Sequence, residues 1–402
     1  MEGLLNLPQL TVEKVTEDNG QFIFIVSGDT PPPKCCDGPC LVKNGTKRGL
    51  YLDLPVQGKR VSIWVNRRRW FCKRCQGTVY QDVPHMDKHH AMTERLVRYI
   101  EAAGREKPFT TIARKLGVSE GTVRLVFKAY ATRILASRSA DAPRWIGIGP
   151  VTYGHRLWTA VTDVENKTLL DLLPSRSEEA VADFLRGLPG KEAIERVTIS
   201  MWEPYRKAVT AVLPWTCLMV DRFHIAKQAN EAMDRLRSEM ATPVSKHGLI
   251  RNDRRMILRT PERLNTAQRM KLDTWLGCYP RLKAGYYAKE RYRAIWECAT
   301  RAEAEARYAE WERRLPPDLA PMFRNLILTT EAWREEILAS IESGCPAHLY
   351  AECVSSLQRS LNPLGRGCSF EVVRAKWLLK CHAPGSPSMT RQGAAADFHF
   401  VP

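Results

Sequence analysis

Five cysteines near the N-terminus could hold a metal ion. Cys35, Cys36 and Cys40 share one Pro- and Gly-containing segment, and Cys72 and Cys75 form a Cys-x-x-Cys pair downstream. Four thiolates on two tight turns are typical of structural zinc, which has no open position for catalysis. The preferred ligand set is Cys36, Cys40, Cys72 and Cys75, with Cys35 as the alternative to Cys36. Reduced cysteines without metal are the other interpretation.

Two β-strands would have to bring these cysteine turns together. Residues 45–71 have the pattern of a strand, a turn at Gln57-Gly58 and a second strand in which Val61, Ile63 and Val65 alternate with polar residues. A hairpin that joins two cysteine turns is the layout of a zinc ribbon. Alternating apolar residues over 1–30 predict a further small β layer.

A basic run ends the second strand of this hairpin. Arg67, Arg68 and Arg69, followed by Trp70, could contact DNA phosphates. The same pattern occurs on a solvated edge strand, so both interpretations stand. The whole chain of 402 residues carries a formal charge of +17, which favours nucleic acid as a partner.

Residues 109–124 (FTTIARKLGVSEGTVR) have the pattern of a helix-turn-helix, preceded by a predicted helix over 93–104. Ala113 is the small residue and Gly117 the turn glycine that this motif needs. Ser119 is placed to cap the second helix. The side chains predicted to contact double-stranded DNA are Thr110, Ser119, Glu120, Thr122, Arg124 and Lys128. An ordinary helical hairpin is the alternative.

Seven elements are predicted between residues 145 and 224. Apolar runs indicate strands at 146–149, 155–163, 168–173, 197–201 and 216–220, and amphipathic stretches indicate helices at 177–188 and 204–212. Three strands, a helix, a strand, a helix and a strand is the order of a ribonuclease-H-like core, the platform of polynucleotidyl transferases. Residues 228–343 have a helical pattern with proline breaks.

These patterns predict an α+β multidomain protein with a zinc ribbon, a helix-turn-helix and a ribonuclease-H-like α/β core interrupted by an all-helical insertion. The predicted domains are 1–88 (β layer and ribbon), 89–138 (helix-turn-helix), 139–227 (first part of the core), 228–345 (insertion), 346–384 (closing part of the core) and 385–402 (flexible tail). No apolar run reaches the roughly 18 residues of a membrane span, and no signal peptide pattern is present. We expect a bacterial cytoplasmic, nucleoid-associated protein with reduced cysteines.

Three segments resemble the ISL-three family of insertion-sequence transposases: TISMWEPYRKAV, VDRFHIAKQANEAMDRLR and LGRGCSFEVVRAKWLL. The most specific features are Met-Trp-x-Pro-Tyr and the later Asp-Arg-Phe-His, and the resemblance covers nearly the whole chain. It implies DDE chemistry, in which three carboxylates hold two divalent metal ions that activate water or a DNA 3′-hydroxyl. Mg²⁺ would be a cofactor only if that site survives.

The resemblance also implies where the three acids belong, and two of them are replaced. Gly149 stands in place of the first acid, and Ser200 stands in place of the second, directly before Met201-Trp202. Glu352 is the candidate for the third. Asp221 belongs to a family motif outside the triad, and it is the other remaining catalytic candidate.

Other acids near these positions are Asp163, Glu203 and Glu371. Glu203 would need a rebuilt strand end to replace a lost ligand, and Asp163 lies at the far end of its strand. His224 follows a predicted buried strand, where a hydrogen-bonded core histidine is the more common finding, so we assign it no catalytic role.

We therefore expect a transposase-like protein that binds terminal-inverted-repeat-like or other specific duplex DNA as a homodimer and has lost cleavage. Its role would be DNA recognition, regulation or recruitment linked to a mobile element. The first alternative is an active DDE transposase with relocated carboxylates. The second is a protein-interaction scaffold with weak affinity for DNA.

Overall fold

The computed structural model describes residues 5–28, 30–31, 34–36, 40–136, 142–240, 254–343 and 369–381. The chain forms two compact units. The first contains Met1–Arg138 and Leu361–Ala383, and the second contains Ser139–Ser360 and Pro384–Pro402. Within the described ranges, no helix has both the length and the apolar character needed to cross a membrane.

The first unit begins with a five-stranded sheet. Its strands are β1 (Leu10–Asp18), β2 (Gln21–Gly28), β3 (Leu41–Val56), β4 (Lys59–Cys72) and β5 (Thr78–Tyr80). Their order is β1-β2-β4-β3, and β5 pairs with the end of β4. The turn predicted at Gln57-Gly58 is confirmed, because both residues have positive φ (53° and 77°), as a two-residue type I′ hairpin turn requires.

Alternation of apolar residues along β2 and β4 produces the core of this sheet. Phe22, Phe24 and Val26 of β2 are buried with Val61, Ile63 and Val65 of β4. Since successive strand residues point to opposite faces, a period of two puts all six on one face. The β layer predicted near the N-terminus is therefore present.

Three helices follow in the first unit: α1 (Glu94–Gly104), α2 (Phe109–Leu116) and α3 (Glu120–Ala136). Their apolar faces form one core that includes Leu96, Phe109 and Phe127. Gly104 allows α1 to approach α3 closely, because a Cβ there would lie 2.5 Å from a ring carbon of Phe127.

The second unit contains a mixed five-stranded sheet. Its strands are β6 (Trp145–Tyr153), β7 (Arg156–Asp163), β8 (Thr168–Leu173), β9 (Arg196–Ile199) and β10 (Cys217–Val220), in the order β10-β9-β6-β7-β8. β6, β7 and β8 are antiparallel neighbours, whereas β9 is parallel to both β6 and β10. The carboxyl ends of β6, β8, β9 and β10 therefore lie along one edge, here called the core edge.

Two helices connect the later strands: α4 (Glu178–Gly187) follows β8, and α5 (Glu203–Val212) follows β9. Ser177 caps α4 by accepting a hydrogen bond from the Ala180 backbone N–H. Each of the seven predicted elements is present with bounds within a few residues, and β6 is longer than predicted.

The helical region predicted after the core is also present. It contains α6 (Arg222–Met240), α7 (Arg254–Leu258), α8 (Thr266–Cys278), α9 (Pro280–Ile295), α10 (Arg301–Arg314), α11 (Ala320–Ala332) and α12 (Arg334–Glu342). These helices share one hydrophobic core with the sheet. Ser340 of α12 links the two layers, since its hydroxyl bonds both the N–H and the carbonyl of Val220 at 3.0 Å.

The last described helix, α13 (Phe370–Cys381), belongs to the first unit. Val372, Ala375 and Leu379 enter the hydrophobic core formed by α1, α2 and α3. Residues 346–384 are predicted to close the catalytic core, whereas this helix packs in the first unit. Residues 346–368 and the predicted tail at 385–402 lie outside the described residues.

A buried lysine contributes to holding α13 in place. Lys376 is 1% exposed, its Nζ donates a 2.9 Å hydrogen bond to the Lys107 carbonyl, and it lies 4.4 Å from the ring centroid of Phe109. Arg105 donates a 3.1 Å hydrogen bond to the Leu379 carbonyl. These contacts join segments that are distant in sequence.

Candidate functional site

The predicted cysteine turns meet at one place in the first unit. The sulfur atoms of Cys35, Cys36, Cys72 and Cys75 all lie within 4.8 Å of one another. Cys40, predicted as a ligand, is outside this mutual group, but its Sγ lies 3.3 Å from that of Cys72. The structure thus brings together both Cys35 and Cys36, between which the spacing could not decide.

The sulfur separations fit a tetrahedral metal ion. Zinc–sulfur bonds of about 2.3 Å require sulfur atoms roughly 3.8 Å apart, and the Cys35 sulfur lies 3.4 Å from that of Cys75 and 4.0 Å from that of Cys36. The backbone N–H of Cys75 lowers the pKa of the Cys72 thiol to about 6, which favours the thiolate at that ligand. The hydrogen bond with the Cys75 thiol raises the pKa of Cys35 and of Cys36. In the described part of the chain, this is the one group of three or more potential side-chain ligands close enough to share an ion.

The helix-turn-helix has the geometry that its sequence predicts. Gly117 ends α2 with φ of 70° in the left-handed region, which disfavours residues with a Cβ. Ser119 caps α3, because its Oγ accepts a 3.0 Å hydrogen bond from the Thr122 backbone N–H. The turn also contacts the β3–β4 hairpin, since a Cβ on Gly117 would lie 2.1 Å from Nε of Arg60.

The predicted DNA-contacting side chains of this motif differ in their exposure and in their contacts within the protein. Thr110, Ser119 and Lys128 are exposed. Arg124 is half-buried, pairs with Glu120 one turn earlier on α3, and lies 5.8 Å from the ring centroid of Phe109. Arg124 would have to exchange this ion pair for a phosphate or base edge on binding DNA.

The three arginines of β4 also differ from one another. Arg67 donates two hydrogen bonds to the Gln81 carbonyl, at 3.1 and 2.9 Å, and Arg69 donates one of 2.6 Å to the Asn44 carbonyl. Arg67 therefore holds the residue that follows β5, and Arg69 holds the irregular part of β3 between Lys43 and Thr46. Arg68 is exposed and is the best placed of the three to meet a phosphate.

The structure brings three residues singled out by the sequence onto three neighbouring strands. Gly149 lies inside β6, and Ser200 and Asp221 directly follow β9 and β10. The Ser200 N–H donates to the Ile148 carbonyl at 3.0 Å, which puts Ser200 beside Gly149. The Asp221 N–H donates to the Ile199 carbonyl at 3.1 Å, which puts Asp221 on the next strand. Gly149, Ser200 and Asp221 thus follow one another across β6, β9 and β10.

Ser200 and His224 form a hydrogen-bonded pair at the core edge. Ser200 is 3% exposed, and its Oγ lies 2.9 Å from Nε2 of His224. Burial lowers the pKa of His224, so its ring is neutral near pH 7. Asp221 is 5% exposed and its Oδ1 accepts a 2.9 Å hydrogen bond from the Phe223 N–H.

These donors do not fit a pair of Mg²⁺ ions. The two ions carry four positive charges and need several oxygen ligands, most of them carboxylates. Gly149 offers no side chain, and Ser200 offers a hydroxyl already bonded to His224. Glu352, the candidate third acid, lies outside the described residues.

The other nearby acids are held elsewhere. Asp163 accepts hydrogen bonds from the N–H and the side-chain amide of Asn166 at 2.9 and 2.8 Å, in the turn at the opposite end of the sheet. Glu203 is exposed and lies 3.4 Å from Arg206. Glu371 lies in the first turn of α13, in the first unit.

Sequence reasoning missed two residues at the core edge. Arg176 precedes α4, and its guanidinium carbon lies 4.2 Å from the ring centroid of Trp202. Tyr205 of α5 is fully buried, and its hydroxyl lies 2.7 Å from Oγ1 of Thr159. The Met-Trp-x-Pro-Tyr motif contains Trp202 and Tyr205, but only the register of the sheet brings Arg176 to them.

Two regions of the chain match family models. Residues 81–131 match the helix-turn-helix domain of transposase family ISL3 (the ISL-three family). Residues 150–376, more than half of the chain, match the family's DDE model, described as transposase. The chain is also similar to a transposase for insertion sequence element IS1001 from Bordetella parapertussis. The two are 26% identical over 330 residues, which cover 77% of this chain and 80% of the relative.

Proposed function

The chain belongs to the ISL3 family of transposases, and from that premise we propose that it is a sequence-specific DNA-binding protein whose catalytic core no longer cleaves DNA. The observation that carries the proposal is that Gly149, inside β6, lies beside Ser200, directly after β9, with the Ser200 hydroxyl 2.9 Å from Nε2 of His224. Its DNA sites would resemble terminal inverted repeats, and its role would be recognition, regulation or recruitment linked to a mobile element.

The proposed DNA contacts lie in the first unit. The N-terminal residues of α3 would enter the major groove, with Thr122 and Arg124 at base edges and Lys128 on phosphate. Arg68, exposed on β4, would add a phosphate contact. The net charge of +17 supports a polyanionic partner. Its work on DNA would place the protein in the cytoplasm, at the nucleoid.

Zinc bound at the cysteine turns would be structural. Four thiolates complete its tetrahedral coordination, so zinc would hold the cysteine turns together and would supply no chemistry to DNA. The sulfur separations at Cys35, Cys36, Cys72 and Cys75 support this assignment, and Cys40 is the additional thiol.

The loss of cleavage follows from charge. Two-metal catalysis stabilises the attacking and leaving oxygens between ions that carboxylates hold in place. A glycine and a serine cannot replace the two negative charges that the family pattern puts at positions 149 and 200. The core would then keep the proposed ribonuclease-H-like scaffold, which the strand order β10-β9-β6-β7-β8 supports, without its metal ions.

The test is a binding assay and a cleavage assay on the same duplexes, taken from the DNA that flanks the gene. We expect a dissociation constant on the order of 10 nM that weakens steeply between 50 and 200 mM salt. With Mg²⁺ or Mn²⁺ we expect no nicked or joined product, and Glu352→Ala should bind as wild type does. If the protein binds none of the flanking duplexes more tightly than a scrambled duplex, the DNA-recognition role is rejected.

The competing function is an active transposase with relocated carboxylates. The observation that favours it is the carboxylate of Asp221, which is 5% exposed and next to Ser200 at the core edge. This function predicts a metal-dependent product that disappears in Asp221→Ala or Glu352→Ala. We propose a homodimer in either case, because a transposase-like protein pairs two DNA ends, and sedimentation of the complex with two end fragments tests it.

A further inference from the structure

We infer that the core edge carries a binding site for an unpaired nucleotide, with Trp202 stacking the base and Arg176 holding the phosphate. This inference rests on the proposed DNA-binding function and assigns a second kind of DNA contact to the second unit. The ligand class is a nucleotide whose base is free of its partner strand, because a base within a duplex has no free face to stack.

Trp202 is an exposed aromatic in a fixed position. It is 41% exposed although it lies directly between β9 and α5. Its indole N–H donates a 3.2 Å hydrogen bond to the carbonyl of Arg176. The ring is therefore held in place before any ligand arrives, which lowers the entropy lost on stacking.

Arg176 is held beside the ring without a carboxylate partner among the described residues. Its guanidinium carbon lies 4.2 Å from the Trp202 ring centroid, so it can cover only one face of the indole. It is half-buried, and its Nε makes no hydrogen bond with the described residues. Burial raises the pKa of neighbouring Tyr205, and the charge of Arg176 and its hydrogen bond to that residue oppose the rise.

Other arginine–tryptophan contacts in the described part of the chain do not combine an exposed ring with an arginine that has no carboxylate partner. Arg206 lies 3.7 Å from the ring centroid of Trp333, but that ring is 8% exposed and Arg206 pairs with Glu336 at 2.8 Å. Trp215 is 51% exposed with its N–H bonded to the Ile194 carbonyl, but none of the described arginines lies over its ring. Trp215 is thus a matched control.

The charges around Ser200 support an anionic ligand. Arg176 and Lys227 bring positive charge near His224, and Asp221 brings negative charge. Lys227 lies 3.7 Å from Glu231, one turn later on α6. Without acids at positions 149 and 200, the edge has lost negative charge that would repel phosphate.

The first experiment compares two probes with the full chain and no added Mg²⁺. One is a flanking-site duplex, and the other is the same duplex with one unpaired 2-aminopurine bulge. We expect the bulge to bind about tenfold more tightly and its fluorescence to fall on stacking. Trp202→Ala should remove both effects and leave affinity for the plain duplex within about twofold.

Two further variants keep the inference open to refutation. Trp215→Ala should behave as wild type, and Trp202→Phe should keep part of the stacking even if Trp202→Ala folds poorly. Arg176→Gln should lower the salt dependence of bulge binding by about 0.7 in the log–log slope. Equal affinity for both probes in the wild type, or a Trp202→Phe/Arg176→Gln protein that binds the bulge as wild type does, would overturn the inference.

Failure of the proposed function would look different. A protein that binds neither probe lacks the DNA-binding function, and the nucleotide site falls with it. A protein that binds the plain duplex but ignores the bulge keeps the proposed function and loses this site. Quenching that persists in Trp202→Ala but vanishes in Trp215→Ala would assign stacking to the wrong tryptophan and would also overturn the inference.

Discussion

The two places where this chain could hold metal ions differ in what their side chains provide. In the first unit, four sulfur atoms lie within 4.8 Å of one another and a fifth, from Cys40, touches the group. At the core edge of the second unit, three positions lie side by side: Gly149, Ser200 and Asp221. Of these three residues, Asp221 alone has a carboxylate. Among the described residues, the first site offers more thiols than a zinc ion needs, and the second offers fewer carboxylates than two magnesium ions need.

The scaffold around the core edge is nevertheless intact. Tyr205 is fully buried behind the core edge, and Ser340 binds both backbone groups of Val220. A fold is stabilised by its buried apolar side chains and satisfied polar groups, which do not depend on the acids that hold catalytic metals. Loss of the acids can therefore leave stability and architecture unchanged while it removes the chemistry.

The strongest test of this contrast removes a thiol. Cys72→Ser should lower the zinc content from about one ion per chain to below about 0.2, because Cys72 belongs to the sulfur group and is buried. It should also melt the cysteine turns, since metal binding contributes folding free energy to such sites. Metal analysis and amide hydrogen exchange measure the two effects.

The controls are Cys217→Ser and Cys278→Ser, which change exposed cysteines of the second unit. Both variants should keep the zinc content of the wild type. Among Cys35→Ser, Cys36→Ser and Cys40→Ser, at least one should also keep it, because five thiols serve four positions. Wild-type protein that is folded and free of zinc would contradict the contrast.

A second prediction concerns DNA affinity in the first unit. Thr122→Ala and Arg124→Ala should each weaken specific binding by about tenfold, within the roughly 1–3 kcal/mol of one base contact. Fluorescence anisotropy on specific and scrambled duplexes separates loss of specificity from loss of charge. Arg186→Ala, which removes one exposed positive charge from α4, should change little. Equal losses in all three variants would argue against the recognition role of α3.

A third prediction tests the scaffold of the second unit. Tyr205→Phe removes a buried hydroxyl that lies 2.7 Å from Thr159 Oγ1, and Thr159 still bonds the Ser175 carbonyl. We expect a loss of about 1 kcal/mol in the free energy of unfolding, measured by urea titration. Tyr279→Phe, at a residue 41% exposed, should change it by less than about 0.5 kcal/mol. A neutral Tyr205→Phe would show that the hydroxyl pair adds nothing to the scaffold.

The smallest expected effect is the response of the wild-type core to Mg²⁺, which should leave its melting temperature unchanged. Gly149→Asp/Ser200→Asp restores two acids, and it should gain about 1 kcal/mol of stability when free metal is five times its dissociation constant. Gly149→Ala/Ser200→Ala should gain none. Stabilisation of the wild type by Mg²⁺ would mean that other oxygens already form the site.

Local patterns predicted most of the architecture. The strand at 168–173, the cap at Ser119 and the turn at Gln57-Gly58 all depend on neighbouring residues, and the structure has each of them. The adjacent Cys35 and Cys36 could not be separated by spacing, because either lies at a suitable distance from Cys40.

Features that depend on distant contacts were missed. Arg176 has no sequence motif of its own and reaches Trp202 only because β8 and β9 end at the same edge. The position of α13 could not be read from its apolar pattern, since amphipathicity says that a helix packs but does not identify its partner. The hydrogen bond between Lys376 and the Lys107 carbonyl is an example, because the two residues are 269 positions apart in the sequence.

The contact of α13 with the helix-turn-helix also has a consequence for synthesis. Residues 137–369 must leave the ribosome between α3 and α13. At about 5–20 residues per second, this takes on the order of 10 to 50 s. During that time the nascent helices lack Val372, Ala375 and Leu379 from their core. A chain still in translation, or one that stops early, would therefore bind DNA more weakly than the finished protein. Most of the protein bound to DNA would then be full-length.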